Sequence, residues 1–198
     1  MPEGYPGTRP AGERPRRAGS GAGRDRESRS TEETEDAVAI GRAKQHHYEV
    51  RIRWTGNTGE GTSNYRGYER SHDVEADGKP TLPGSADSAF RGDPSRWNPE
   101  ELLLAALAQC HMLSYLALAS ASEVVVVDYA DEATAEMVTH SDGSGEFTSA
   151  TLRPVVTVAD GGMAESAREL HGRANQICFI ARSVGFPVHH EPTIRVAD

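Results

Sequence analysis

Cys110 and Cys178 are the two cysteines of the 198-residue chain, and a cysteine thiolate is a strong side-chain nucleophile near neutral pH. Each falls on the apolar stripe of a segment with helical periodicity. One reading makes both of them small, buried, inert hydrophobes. The other follows from packing: two helices in one small core can bring their sulfurs together. With Arg91 and Glu100 nearby, such a pair would be a redox site, because a guanidinium stabilises the thiolate that attacks. Glu100 precedes Cys110 by ten residues, which is about 15 Å along a straight helix. Glu100 therefore serves Cys110 only through a break near the helix start or from a second subunit.

The histidines raise the question of a metal. His111 adjoins Cys110, His171 lies seven residues before Cys178, and His46-His47 and His189-His190 are paired in sequence. There is no Cys-x-x-Cys or His-x-x-x-His pair, and two helical turns separate His171 from Cys178, so no metal is expected. No cofactor is expected either, since the chain has no P-loop, dinucleotide fingerprint or Gly-x-Ser-x-Gly elbow. His111 and Ser114 sit close on one helix, with no third group to orient them.

These residues need elements to hold them. Asn98 is a good N-cap, Pro99 suits the first helical position, and Glu100 and Glu101 put negative charge in the first turn. From Leu102 to Ala119 the chain is mostly Leu and Ala, apolar on nearly every face, which predicts a central helix enclosed by the rest of the fold. Met163 to Ala181 carries Ala167, Leu170, His171, Ala174, Ile177, Cys178 and Ala181 on one stripe and reads as a second helix. Tyr48 to Trp54 alternates with period two and predicts a strand, with a weaker extended piece over residues 65–75. Val124 to Tyr129 reads as a buried strand, Ala133–His140 and Glu146–Leu152 as a hairpin about Asp142-Gly143, and Pro154–Ala159 and Pro192–Val196 as further strands. The loop Gly84–Trp97, with Arg91 in it, enters the first helix, a place where functional residues concentrate. The expected class is α+β.

Residues 1–44 have few aliphatics and are rich in Gly, Pro, Arg, Glu and Ser, so this tail is expected to be disordered, with residues 45–198 forming one domain. A basic stretch, Arg9 to Arg29, followed by an acidic one would suit an arm for an acidic partner, but a solubilising tail is the expectation. A formal charge of −9 argues against nucleic acid or an anionic membrane as partner. With no apolar run near Met1 and only two cysteines, a reducing cytoplasm is expected.

Asn98-Pro99-Glu100-Glu101-Leu102-Leu103 through Ala108-Gln109-Cys110 resembles the helix signature of the OsmC/Ohr family, the osmotically induced and organic-hydroperoxide-resistance proteins. His171 and Cys178 match the second cysteine of that family and a histidine upstream of it, and the element order fits over about residues 46–196. The resemblance implies an OsmC-like fold of antiparallel sheets around two central helices, assembled as an intertwined homodimer with its active sites at the interface. It implies a thiol peroxidase: Cys110 attacks the hydroperoxide, Cys178 resolves the sulfenic acid as a disulfide, an arginine stabilises the thiolate and Glu100 orients that arginine. Arg91 fits the OsmC-like branch, with Arg66 and Arg70 as alternatives from the Ohr-like branch. A thiol reductant of unknown identity would restore the enzyme. The chain departs from the family where Phe179 follows Cys178 in place of a frequent Pro, and where His111 follows Cys110 in place of the Phe of Ohr-like members. His111 would either enrich the Cys110 thiolate as a cation or only pack. Two readings without catalysis stand beside the peroxidase: a binding module for an apolar ligand held between the helices, and a structural dimer with inert cysteines.

Overall fold

The computed structural model describes residues 44–198, and the following concerns the unit Tyr48–Asp198. The reading of a tail over residues 1–44 lies, but for its last residue, outside the described residues. The strands are β1 (Arg51–Trp54), β2 (His72–Glu75), β3 (Leu82–Gly84), β4 (Val126–Asp131), β5 (Thr134–Thr139), β6 (Gly145–Leu152), β7 (Pro154–Val158), β8 (Val188–His190) and β9 (Thr193–Val196). Helix α1 (Pro99–Ala121) lies between β3 and β4, and helix α2 (Ala164–Ile177) between β7 and β8.

The start of α1 follows its sequence signals. The Asn98 side chain accepts a hydrogen bond from the Glu101 N–H at 2.7 Å, and the Glu101 carboxylate accepts one from the Asn98 N–H. This capping box satisfies two amides that the first helical turn leaves without partners. The helix then runs unbroken for 23 residues, so no break brings Glu100 back toward Cys110. By length and composition α1 would also suffice to cross a membrane. Here it buries Leu107, His111, Tyr115 and Ala119, a stripe at four-residue spacing.

Strands β4-β7-β9 form one sheet, β5-β6-β8 a second and β1-β2-β3 a third. The C-terminal half of α1 packs with α2 over the first sheet, where Tyr115, Ala119, Val156, Val158, Leu170 and Ala174 make a core. The N-terminal half places Leu107 against Ala150 and Leu152 of the second sheet. The sheets are not wholly antiparallel, as expected above, because β6–β8 and β7–β9 are parallel pairs. Both β8 and β9 follow α2, and the crossover returns the chain in the same direction as the strands it joins. The hairpin β5–β6 turns at Gly143, which has φ 87°, a left-handed conformation that glycine adopts without strain.

Three expectations change. The valine run is not a buried strand: Val124 is buried, but Val125 and Val127 are 51% and 55% exposed. Strand β4, bulged between Val126 and Asp128, turns Val126 and Tyr129 to the core, and Val125 and Val127 face away from it. The apolar face of β1 is not covered by the described residues, with Val50, Ile52 and Trp54 all exposed. The described residues cover helix α1 on one side, and Leu113 on the other is 61% exposed.

Candidate functional site

Helix α2 stops at Ile177, short of the predicted Ala181. Cys178 is its C-cap: its N–H still donates to Ala174 O at 2.9 Å, and then ψ of 116° turns the chain away. The next turn closes on the cysteine, since the Ala181 N–H reaches Cys178 Sγ at 3.5 Å and the Arg182 N–H donates to Cys178 O. The Arg182 guanidinium caps the carbonyl of Gln176. Phe179 projects outward, 77% exposed, so the family's frequent Pro position is occupied by a solvent-facing ring.

Cys178 is fully buried, whereas Cys110 on α1 is half-buried; both are free thiols. Burial pushes the Cys178 thiol above the ordinary range. The Ala181 N–H pulls it down, and the neighbouring Cys110 thiol pushes it further up. The chain fold thus makes neighbours of the two cysteines, 68 positions apart in sequence.

Glu100 and the arginines lie elsewhere. Glu100 sits in the first turn of α1 and lines a cavity of about 500 Å³ with Trp54, Tyr68, Arg70 and His72. Its Oε2 is buried with no hydrogen-bond partner among the described residues. Arg66, Arg70 and Arg91 share a polar cavity of about 490 Å³, whose lining includes no cysteine. Arg70 is pinned there, its guanidinium 4.5 Å and 4.2 Å from the ring centres of Tyr65 and Tyr68 and bonded to both their carbonyls. Arg91 ends a 3-10 turn in the left-handed conformation, φ 66°. A Cβ on Gly92 would collide with the carbonyl of Ala86, so the residue after Arg91 must be glycine for the loop to close. Within one chain, then, Cys110 meets Cys178, and Glu100 shares a cavity with Arg70.

Between α1 and α2 lies a buried polar group not foreseen as a unit. His111 Nε2 and His171 Nδ1 are 3.0 Å apart in a hydrogen bond, and both rings are fully buried. His171 stacks on Tyr115 at 4.0 Å, and His190 of β8 stacks on His111 at 5.8 Å. Burial lowers His111 to about 4, with a further push from His190. It lowers His171 to about 3, with further pushes from His111 and His190. Both imidazoles are neutral at physiological pH, which removes the reading of His111 as a cation that enriches the Cys110 thiolate. A metal between the facing nitrogens would need about 4 Å, so this is a hydrogen bond, and among the described residues no three His, Cys, Asp or Glu side chains are grouped to hold a metal. The four-residue stripe through His111 was the sequence signal for the pair. His190 had none, because β8 was not predicted.

An α+β domain that sets a half-buried thiol on a central helix against a buried one at the end of a second helix defines the class. The sequence profile of the OsmC-like protein family matches residues 92–193, just over half the chain, and the chain belongs to that family. An OsmC-like protein of unknown function from Vibrio cholerae is 28% identical with TM-score 0.67, and the match covers 75% of this chain and 99% of that one. An organic hydroperoxide resistance protein from Elizabethkingia anophelis shares the fold at 15% identity and TM-score 0.56, over 78% and 100% of the two chains. One from Legionella pneumophila does so at 16% and 0.55, over 76% and 99%. No curated protein sequence matches the chain.

Proposed function

We propose that the protein is a thiol peroxidase that reduces organic hydroperoxides. The Cys110 thiolate attacks the outer peroxide oxygen, the O–O bond breaks, and the alkoxide leaves to be protonated to an alcohol. Cys110 is left as a sulfenic acid, and Cys178 attacks its sulfur, forming a disulfide and releasing water. A thiol reductant in a reducing cytoplasm then restores both thiols. The observation that carries this reading is the apposition of Cys110 on α1 and Cys178 at the end of α2. Their unequal burial suits unequal roles, the half-buried thiol meeting substrate and the buried one waiting as its resolver.

The active unit is a homodimer in this reading. Glu100 lies about 15 Å from Cys110 along an unbroken helix. A partner's Cys110 supported by this chain's Glu100 and Arg91 removes that separation. The open faces of α1 and β1 supply apolar surface for the contact. Glu100 Oε2, buried without a partner among the described residues, is the acceptor that a reoriented guanidinium would meet.

The test is mass spectrometry after one equivalent of cumene hydroperoxide. A Cys110–Cys178 disulfide is expected, and two free thiols would remove the enzymatic reading. Sedimentation of the same sample is expected to report two chains per particle, and a monomer that retains activity would remove the shared site.

A further inference from the structure

A cavity of about 520 Å³ lies between α1 and the end of β4, and neither cysteine lines it. Helix α1 lends it Leu104, Ala105, Ala108 and Met112, apolar side chains of which the two alanines leave room beside the helix. At about 100° per residue, Ala105, Ala108 and Met112 stand about 140–160° round α1 from Cys110. The cavity therefore borders the face of the helix opposite the thiol. Trp97, 47% exposed, and Tyr129 of β4 supply aromatic rings to its wall. Its size is that of a small-molecule pocket, and so is its make-up, mostly apolar with a few polar groups.

Those polar groups have one sign of charge. Glu101 and Asp131 line the cavity, and among the described residues no Lys, Arg or His does. The two carboxyls differ in what they still lack. Glu101 Oε2 is engaged by the Asn98 N–H in the capping box. Asp131 Oδ1 accepts from the Arg153 N–H at 2.7 Å, whereas Asp131 Oδ2 is buried with no partner among the described residues. Arg153 gives its guanidinium to Glu191 and Thr134 instead. Burial raises the Asp131 pKa, and the Arg153 N–H and charge pull it back only in part. The Tyr129 hydroxyl is also buried with no partner among the described residues. Buried oxygens left without donors cost free energy, which a ligand bringing its own donors restores.

We propose that this cavity binds a small organic cation, an apolar amine whose ammonium meets Asp131 and whose body lies between Trp97 and the Ala105–Met112 face of α1. An ammonium carries three donors and no acceptor, which suits Asp131 Oδ2 and the Tyr129 oxygen together. A hydrogen bond between an ammonium and a carboxylate is the strong, charge-assisted kind. The faces of Trp97 and Tyr129 attract a cation as well. An anionic ligand would meet two carboxyls with no cation in the wall to receive it. The amine is bound and not transformed, and the site stands whether or not Cys110 is a peroxidatic thiol.

The experiment is isothermal titration of the full chain with 4-phenylbutylamine, 4-phenylbutanol and 4-phenylbutyrate, three head groups on one apolar frame. The amine is expected to bind about tenfold or more tightly than the alcohol, the scale of one hydrogen bond to a charged group, with the carboxylate weakest. In Asp131→Asn the amine is expected to weaken by about tenfold and the alcohol by about twofold or less. Equal affinity for the three probes, or an unchanged amine affinity in a folded Asp131→Asn protein, overturns the proposal. Wild-type NMR decides independently of whether the variant folds. The amine is expected to shift the Trp97 indole N–H and the amides of Ala105, Ala108 and Met112. Shifts confined to another face, or no binding because a partner chain fills the cavity, overturn the proposal too. Either failure leaves the Cys110–Cys178 disulfide test untouched, since neither thiol takes part.

Discussion

Lowering the pH to 5 should remove a large part of the stability of the fold through His111 and His171. In the unfolded chain each titrates near the ordinary value of 6.5, whereas in the fold burial holds them near 4 and 3. A depressed folded pKa means that the unfolded chain binds protons first, so stability is full above 6.5 and is lost as pH falls toward 4 and then 3. At pH 5 each histidine stands about 1.5 units below its unfolded pKa and still above its folded one, a loss of about 2 kcal/mol each and about 4 kcal/mol for the two. Asp131 opposes this: burial raises its pKa, so it gains protons in the fold as the pH drops and offsets part of the loss. Against a typical total of about 5–15 kcal/mol the net effect is large. Urea unfolding at pH 7.5 and 5.0, followed by circular dichroism at fixed ionic strength and protein concentration, measures it. Stability that differs by less than about 1 kcal/mol between the two pH values would refute the argument that burial keeps this pair neutral. His171→Gln should be less stable than wild type at pH 7.5 and should lose less on acidification.

Three further outcomes follow from the same geometry. Leu107→Ala empties a fully buried position facing Ala150 and Leu152 and should cost about 2–5 kcal/mol in urea unfolding. Cys178→Ser should leave Cys110 as a sulfenic acid trappable by dimedone after one equivalent of hydroperoxide; the same yield of trapped adduct from wild type and variant would show that Cys178 resolves nothing. Gly92→Ala sets a methyl group against the Ala86 carbonyl and should displace the Arg91 loop, lowering the rate of Cys110 oxidation more than thermal stability, as read by stopped-flow kinetics and a melting curve.

Local signals carried much of the fold. The capping residue Asn98 with Glu101, the Asp142-Gly143 turn, the strands β7 and β9 and the body of α2 were legible because each depends on residues within a few positions. Other features depend on partners far along the chain. The short strand β8 exists because Val188–His190 lie beside β6. Val127 of β4 is exposed because the helices cover only the face that carries Val126 and Tyr129. Helix α2 ends at Cys178 with no glycine or proline to mark the stop, and the turn over residues 180–183 takes up its final carbonyls.

The same division runs through the site. By itself the sequence determined that Cys110 lies on a buried-type helix, that Glu100 stands too far from it along that helix, and that the thiols are few enough to be a pair, because these are matters of residue type and helical rise. Only the tertiary structure decided that Cys178 faces Cys110 from the end of α2, that Arg66, Arg70 and Arg91 share one cavity, and that His111 is bonded to His171 and held neutral. Those properties belong to contacts between segments and to the loss of water around them. A hydrogen bond or a shifted pKa arises when packing removes solvent, and no spacing along the chain encodes which groups packing will enclose together.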